Sequence, residues 1–305
     1  MVHHVECPLC SSEKIFRHFR CIDYFLSKKA FEIYKCSSCD FEFTQDCPEE
    51  TETGKYYESD NYISHSDTSK GLSDKIYHLA RSIMLHRKRS IIKNVSGLHK
   101  GSLLDIGSGT GYFARTMKNA GWLVKGIEIN EKARDFSISR FGLEVIGPDQ
   151  ISILEADSFD CITLWHVLEH FHNPFKYASD IIHLLKPGGL CLIALPNCNS
   201  YDAKYYGQFW AAYDVPRHLW HFNPSTFRVF SEKAGFITGN LMNLPLDVFY
   251  ISILSEGYKG SKLAFIKGII TAFLFVFQSV FNKRRSSSVI YILRKSTYIS
   301  GISKK

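Results

Sequence analysis

Residues 102–114 read SLLDIGSGTGYFA, an apolar run that ends in an acid and passes through three alternating glycines into a segment of helical spacing. A buried strand that runs through glycines straight into a helix constrains the fold more than any other stretch of this chain. Gly107, Gly109 and Gly111 let the backbone turn sharply and pass close to a ligand, while the helix start aims N–H groups at it. Such a unit needs parallel neighbours, and the downstream sequence supplies them. Strands are expected at 123–129, 159–165 and 190–195, with a helix after Gly111 ending at Gly121, a second ending near Gly142 and a third stopping at Pro187. This alternation predicts an α/β fold, a parallel sheet with helices on both faces.

Two details narrow the ligand. The third glycine comes one residue early for the GxGxxG of dinucleotide-binding folds, and Asp105 stands two residues before the first. This DxGxGxG arrangement resembles motif I of class I S-adenosylmethionine-dependent methyltransferases. Glu128 closes the next strand in VKGIEIN, where a carboxylate is placed to accept hydrogen bonds from two ribose hydroxyls. FDCITLWHVLEHFHNP and LLKPGGLCLIALPN resemble the fourth-strand segment and the turn into the fifth strand of the ubiquinone-biosynthesis type of these enzymes. The resemblance covers roughly residues 100–240. It implies a Rossmann-like seven-stranded sheet with an antiparallel last hairpin, here at 236–244 and 289–295. It also implies S-adenosyl-L-methionine as cofactor, with Asp105, Gly107, Ser108, Gly109, Gly111, Tyr112, Glu128, Ile129, Trp165 and His166 around it.

A methyl group on a sulfonium is already activated, so transfer is an in-line displacement in which alignment supplies much of the rate. An oxygen, nitrogen or carbon acceptor can still need a base, a task suited to histidine near neutral pH. His166 and His170, with Glu169 between them, share a face if their segment is helical. The stretch WAAYDVPRHLWHFNP adds Tyr213, Asp214, Arg217, His218 and His221 on the expected substrate side. His218 is the preferred base, with His166 and His170 the other catalytic candidates; Tyr213, Arg217, His218 and His221 are the candidate substrate contacts. The competing reading makes His166 a packing partner of the cofactor, Glu169 a helix cap, the aromatics core and Arg217 a structural ion pair.

The acceptor is less constrained. The (N/D)PP(Y/F) motif of amino methyltransferases acting on adenine or glutamine is replaced by WHVL, and Cys198 is poorly matched to the nucleophile of cytosine C5 enzymes. The favoured acceptor is a small molecule, a glycan, a lipid-linked compound or a quinone-like ring. Ribosomal RNA guanine-N1 methyltransferases also join a zinc module to this fold, but the module here lacks the clustered cations that RNA affinity requires, so nucleic acid is disfavoured. A non-enzymatic cofactor-binding scaffold is the third reading, against which the intact Asp105, Gly107, Gly109 and Glu128 stand.

Residues 1–50 carry ECPLCSSEK and YKCSSCDFEF. Two CxxC pairs, Cys7 with Cys10 and Cys36 with Cys39, can close one tetrahedral zinc site, so a zinc ribbon with structural Zn2+ is expected. His3, His4 or His18 could replace one thiolate. The segment resembles the ribbon of deoxysugar C-methyltransferases, which carry a further C-terminal domain. Residues 51–99 form a linker and a helix over 71–95 whose Arg81, Arg87, Lys88 and Arg89 are expected on a solvated face. The methyltransferase domain then occupies 100–305, with an insertion at 245–286.

That insertion holds LAFIKGIITAFLFVFQSVF, residues 263–281, with Lys267 its only charge. From Tyr258 onward there are ten Lys or Arg and no Asp or Glu, leaving 27 basic against 30 acidic side chains elsewhere. A near-neutral body with a basic, apolar segment near its end points to a surface contact rather than to nucleic acid. A membrane crossing is excluded if the following strand returns to the same sheet. The expected helix therefore lies on a surface, either the cytoplasmic face of a membrane through 260–285 or the enzyme's own, as a lid or homodimer contact. The opening residues hold no apolar leader, and a cytoplasmic location is expected.

Overall fold

The computed structural model describes residues 1–57 and 72–295; the rest of the expected linker, the side chains of residues 72–77, Ile76 among them, and positions 296–305 lie outside the described residues. Two sheets organise the chain. The smaller contains β1 (Ile15–Ile22), β2 (Ala30–Cys36) and β3 (Glu42–Gln45), paired antiparallel in that order. Its fourth strand comes from far along the chain. Trp220–His221 pairs with β3 through Glu42 opposite His221 and Phe43 opposite Trp220. The amino-terminal module is thus built into the methyltransferase domain.

The long helix α1 (Leu72–Ser96) leads into the larger sheet. In chain order this contains β4 (Ser102–Ile106), α2 (Tyr112–Asn119), β5 (Leu123–Ile127), α3 (Glu131–Phe141), β6 (Glu144–Ile146) and β7 (Phe159–Trp165). Then follow α4 (Pro174–Leu184), β8 (Leu185–Pro196), α5 (Tyr201–Tyr206), the short β9 (Trp220–His221) and α6 (Pro224–Lys233). The last elements are β10 (Phe236–Asn243), α7 (Asp247–Tyr258), α8 (Ala264–Phe281) and β11 (Ser288–Lys295). The seven strands lie in the order β10-β11-β8-β7-β4-β5-β6, and only β11 runs antiparallel to its neighbours. Leu103, Leu104, Cys161, Ile162, Cys191 and Leu192 are completely buried on the central strands, which explains why those strands read as continuous apolar runs.

Three expectations shift. The strand expected at 123–129 ends at Ile127, because Glu128 turns out to receive the glycine loop. The helix expected to stop at Pro187 stops at Leu184, and β8 begins immediately, so Pro187 and Gly188 belong to the strand's irregular start. The basic face of α1 is not simply solvated: Arg87 donates to the carbonyl and the side-chain oxygen of Asn243, and Lys88 lies 4.3 Å over the Trp165 ring.

The insertion is an antiparallel helical hairpin of α7 and α8, and its end feeds β11 back between β8 and β10. On α8 the small or polar residues Gly268, Ala272 and Ser279, with Phe275, face the protein. Gly268 allows the close approach, since a Cβ there would lie 2.5 Å from the Ile253 backbone. The apolar stripe instead faces outward: Ile266, Ile270, Phe273, Leu274, Phe277 and Phe281 are each more than half exposed. This inverts the usual amphipathic pattern of a soluble helix.

Candidate active site

The candidate site lies beyond the carboxyl ends of β4, β5, β7 and β8, the edge where open parallel sheets bind ligands. Gly107 and Ser108 donate their backbone N–H groups to Ile127, at 2.7 and 3.0 Å, which ties the glycine loop to β5. Gly107, Gly109 and Gly111 all have φ between 54° and 79°, where side chains are strained. Their surroundings differ. A Cβ on Gly107 would meet Val167 at 2.3 Å and one on Gly111 would meet Leu143 and Ser137 at 2.7 Å, whereas Gly109 has nothing within 4 Å. Gly107 and Gly111 serve packing; Gly109 faces open space.

Glu128 accepts from the Gly109 N–H at 2.8 Å with one oxygen and from the Asn130 N–H at 2.9 Å with the other. Each oxygen keeps a lone pair for a hydroxyl, so the carboxylate fits the ribose role expected of it. Ile129 beside it is 80% exposed. Asp105 is buried and accepts from the Thr163 hydroxyl at 2.7 Å. Burial pushes its carboxyl up to about 7, against the pull of Thr163 and Lys88. Ser108 holds a buried hydroxyl oxygen without a partner. Tyr112 packs on Phe141 with Arg81 over its ring at 3.8 Å, and Trp165 packs edge-on against Phe113. Lys88, like Asp247, was missed by sequence reasoning as a site residue: burial lowers its pKa, Asp247 and Asp105 raise it, and its helix reaches the site only through tertiary packing.

The HVLEH segment forms a short 3-10 turn, Leu168–His170, rather than an α-helix, and His166 takes a left-handed φ of 59°. That backbone turns His166 toward α7. Its Nε2 lies 3.0 Å from Asp247 and its Nδ1 3.6 Å from Glu169. Although burial opposes protonation, the bond to Asp247 and the nearby carboxylate of Glu169 carry His166 up to about 9, which suits it to donate rather than accept a proton. Burial and the neighbouring His218 press His170 down to about 4. The His170 and His218 rings meet edge to face with centroids 4.6 Å apart, and His218 Nε2 stands 4.0 Å from Glu169. Glu169 does not cap the following helix; the Asn173 side chain does. The two histidine clusters of the sequence therefore form one.

Tyr213, Arg217 and His221 are placed otherwise than as open substrate contacts. Tyr213 donates to Glu42, and His221 lies 3.0 Å from the Thr44 hydroxyl. Arg217 is buried between Asp214, at 2.9 and 2.6 Å, and Asp23, at 3.1 Å. All three join the loop that carries His218 to the amino-terminal module, and Thr44 also donates to the His218 carbonyl at 2.7 Å.

The four cysteines of the ribbon converge. Cys7 and Cys39, and Cys10 and Cys36, have their sulfurs 3.6 Å apart, near the roughly 3.8 Å edge of a tetrahedron of about 2.3 Å Zn–S bonds. The two turns repeat each other: Ser11 donates to the Cys7 carbonyl and Asp40 to that of Cys36, and both Ser11 and Asp40 have left-handed φ. Burial pushes the Cys7 thiol up to about 11, while amide N–H groups of Cys39 and Ser38 overcome burial to bring Cys36 down to about 7. Four such sulfurs, held without disulfides, fit one zinc ion.

Known proteins agree with this geometry. Residues 80–238 match the model of a family described as a methyltransferase domain. A ubiquinone biosynthesis O-methyltransferase of Paraburkholderia phymatum is 29% identical over 158 residues, covering 48% of this chain and 68% of its own length. The enzyme of the same name from Maricaulis maris is 31% identical over 175 residues, covering 53% of this chain and 67% of its own. A solved structure from Galdieria sulphuraria, assigned as a sarcosine dimethylglycine methyltransferase, has the same fold, with a TM-score of 0.50 at 15% identity over 70% of this chain and 86% of its own. The chain belongs to the methyltransferase domain family. It is an S-adenosylmethionine-dependent methyltransferase.

Proposed function

We propose that this enzyme methylates an oxygen of a hydrophobic, quinone-like or lipid-linked acceptor that it meets at the cytoplasmic face of a membrane. The observation that carries this reading is Asp247. It is the first residue of the hairpin whose outer face is apolar, and its carboxylate is bonded to His166 at the mouth of the candidate site. The element that would touch lipid is thus the element that completes the cluster.

The cofactor supplies an activated methyl group when bound. Asp105 and Glu128 are the groups assigned to hold it, and the cluster around Glu169 promotes loss of the proton that an acceptor hydroxyl gives up as its oxygen takes the methyl. The relatives named as ubiquinone biosynthesis O-methyltransferases support a quinone-like ring. The charge pattern supports an anionic leaflet: Lys259, Lys262, Lys267, Lys283 and Arg284 are exposed around the apolar stripe, each worth about 1 kcal/mol near such a surface. The four cysteines are assigned a structural zinc.

The full chain is expected to float with vesicles of phosphatidylglycerol and phosphatidylcholine, and the double variant Phe273→Ser, Phe277→Ser to bind them at least about tenfold more weakly. Both side chains are more than 60% exposed, so folding should be unchanged. Labelled cofactor offered with lipid extract, total RNA and sugar nucleotides should label lipid. Label confined to RNA, or a wild type that ignores anionic vesicles at low salt, would overturn the reading.

A further inference from the structure

Glu169 is 1% exposed, and neither of its carboxylate oxygens has a hydrogen-bond partner. The nearest ring nitrogens, His166 Nδ1 at 3.6 Å and His218 Nε2 at 4.0 Å, are beyond hydrogen-bond length. A buried carboxylate without hydrogen bonds is costly, and His166, whose Nε2 is engaged by Asp247, offsets it only from a distance.

The two histidines beside it do not supply the missing proton. His218 Nδ1 lies 2.9 Å from the Ala212 carbonyl oxygen, and His170 Nδ1 lies 3.0 Å from that of Arg217. A carbonyl only accepts, so neutral His218 carries its hydrogen on Nδ1 and presents a bare lone pair at Nε2. His170 Nδ1 lies between the Arg217 carbonyl and the Tyr57 hydroxyl, 2.8 Å away, and a hydrogen on Nδ1 shared with both leaves its Nε2 bare as well. Backbone carbonyls that hold Nδ1–H in this way also orient the histidines of metal centres. Ligand atoms of Glu169, His170 and His218 all lie within 4.8 Å of one another. Two imidazole lone pairs and a carboxylate meet there, and no described hydrogen-bond donor reaches Glu169.

We propose that Glu169, His170 and His218 form a divalent-metal site, separate from the four cysteines, that takes a first-row transition ion and presents it to the acceptor oxygen. Two imidazoles and one carboxylate suit Mn2+, Fe2+, Co2+ or Zn2+ and leave coordination positions open. Donor atoms around one ion stand about 3.3 Å apart, so the group closes by about an ångström when filled, within reach of a Glu169 rotamer change. Asp214 Oδ2 is 3.9 Å from His218 Nε2 but is engaged by Arg217. The ion's role is to lower the pKa of an acceptor hydroxyl: the hydroxyl proton leaves to water, the oxygen takes the methyl from sulfur, and the products are a methyl ether and S-adenosylhomocysteine. Two open positions favour an acceptor with neighbouring oxygens, as on a dihydroxylated ring. This deepens the proposed function and rests on it.

The test uses the zinc-loaded full chain, in which the soft cysteine site keeps zinc against harder ions. Titration with Mn2+ should remove the electron-paramagnetic signal of about one aqueous ion per chain, and Co2+ should bind with weak visible bands that lack thiolate charge transfer. Bound Mn2+ should broaden the ring-proton resonances of His170 and His218 in the wild type, a readout that needs no variant. Glu169→Gln and His218→Asn should each weaken Mn2+ at least about tenfold while still binding S-adenosylmethionine by calorimetry. If neither ion binds the zinc-loaded wild type, or Glu169→Gln binds Mn2+ as well as wild type does, the site is not there. Full methylation of lipid by ion-free protein would sink this site and leave the proposed acceptor standing; a bound ion with no lipid labelled would do the reverse.

Discussion

Cys36→Ser is expected to lose the zinc and, with it, the amino-terminal sheet. Cys36 is fully buried, and its knuckle is half of a four-sulfur cage on a module too small to be held by its apolar core alone. Structural zinc in such modules is worth about 10 kcal/mol or more. The damage should spread, because β9 pairs with β3, Thr44 holds the His218 carbonyl, and Arg217 is clamped to Asp23. The variant should therefore show less than one zinc per chain, altered emission from Trp220, and methyl transfer reduced far more than cofactor affinity. Stoichiometric zinc and an unchanged melting temperature in Cys36→Ser would show that the four sulfurs do not form a metal cage.

The glycine loop should separate stability from binding. Gly107→Ala places a Cβ at φ 71° and 2.3 Å from Val167, so both strain and overlap oppose folding, by about 3 kcal/mol together. Gly109→Ala meets no atom and carries only the strain, about 1 to 2 kcal/mol. Its methyl group would instead intrude into the space that Glu128 and the Gly109 N–H border, and S-adenosylmethionine affinity should fall at least about tenfold. Thermal denaturation and calorimetry on the two variants check this. Equal losses of stability, or full affinity in Gly109→Ala, would mean that the cofactor does not approach the loop at Gly109.

Much of this was legible along the chain. The strand at 159–165 and the last strand at 289–295 were visible within a residue, because buried strands need unbroken apolar runs and their helices need caps and glycines at their ends. The glycine loop, Asp105 and Glu128 were legible because their spacing is local. The HVLEH turn was not: His166 adopts a left-handed backbone that a non-glycine residue seldom takes, and helical spacing was the wrong template for it. Asp247 and Lys88 gave no signal, since each reaches the site from an element 81 or 77 residues away from its partner there. Tyr213, Arg217 and His221 looked like open substrate contacts because a run of polar and aromatic residues reads the same whether it lines a pocket or a junction.

The sequence by itself determined the α/β class, the cofactor chemistry and the existence of a four-cysteine cage, because each depends on residues close together or on a strict periodicity. Only the tertiary structure decided that the amino-terminal sheet borrows its last strand from the methyltransferase domain, that both histidine clusters surround Glu169, and that the apolar side of residues 264–281 faces outward. The reason lies in how side chains are partitioned. Local pattern says which residues avoid water, but whether an apolar face meets the core or is left uncovered depends on what the remaining chain brings against it. Here α7 and Gly268 take the small face of that helix, and nothing among the described residues covers the other.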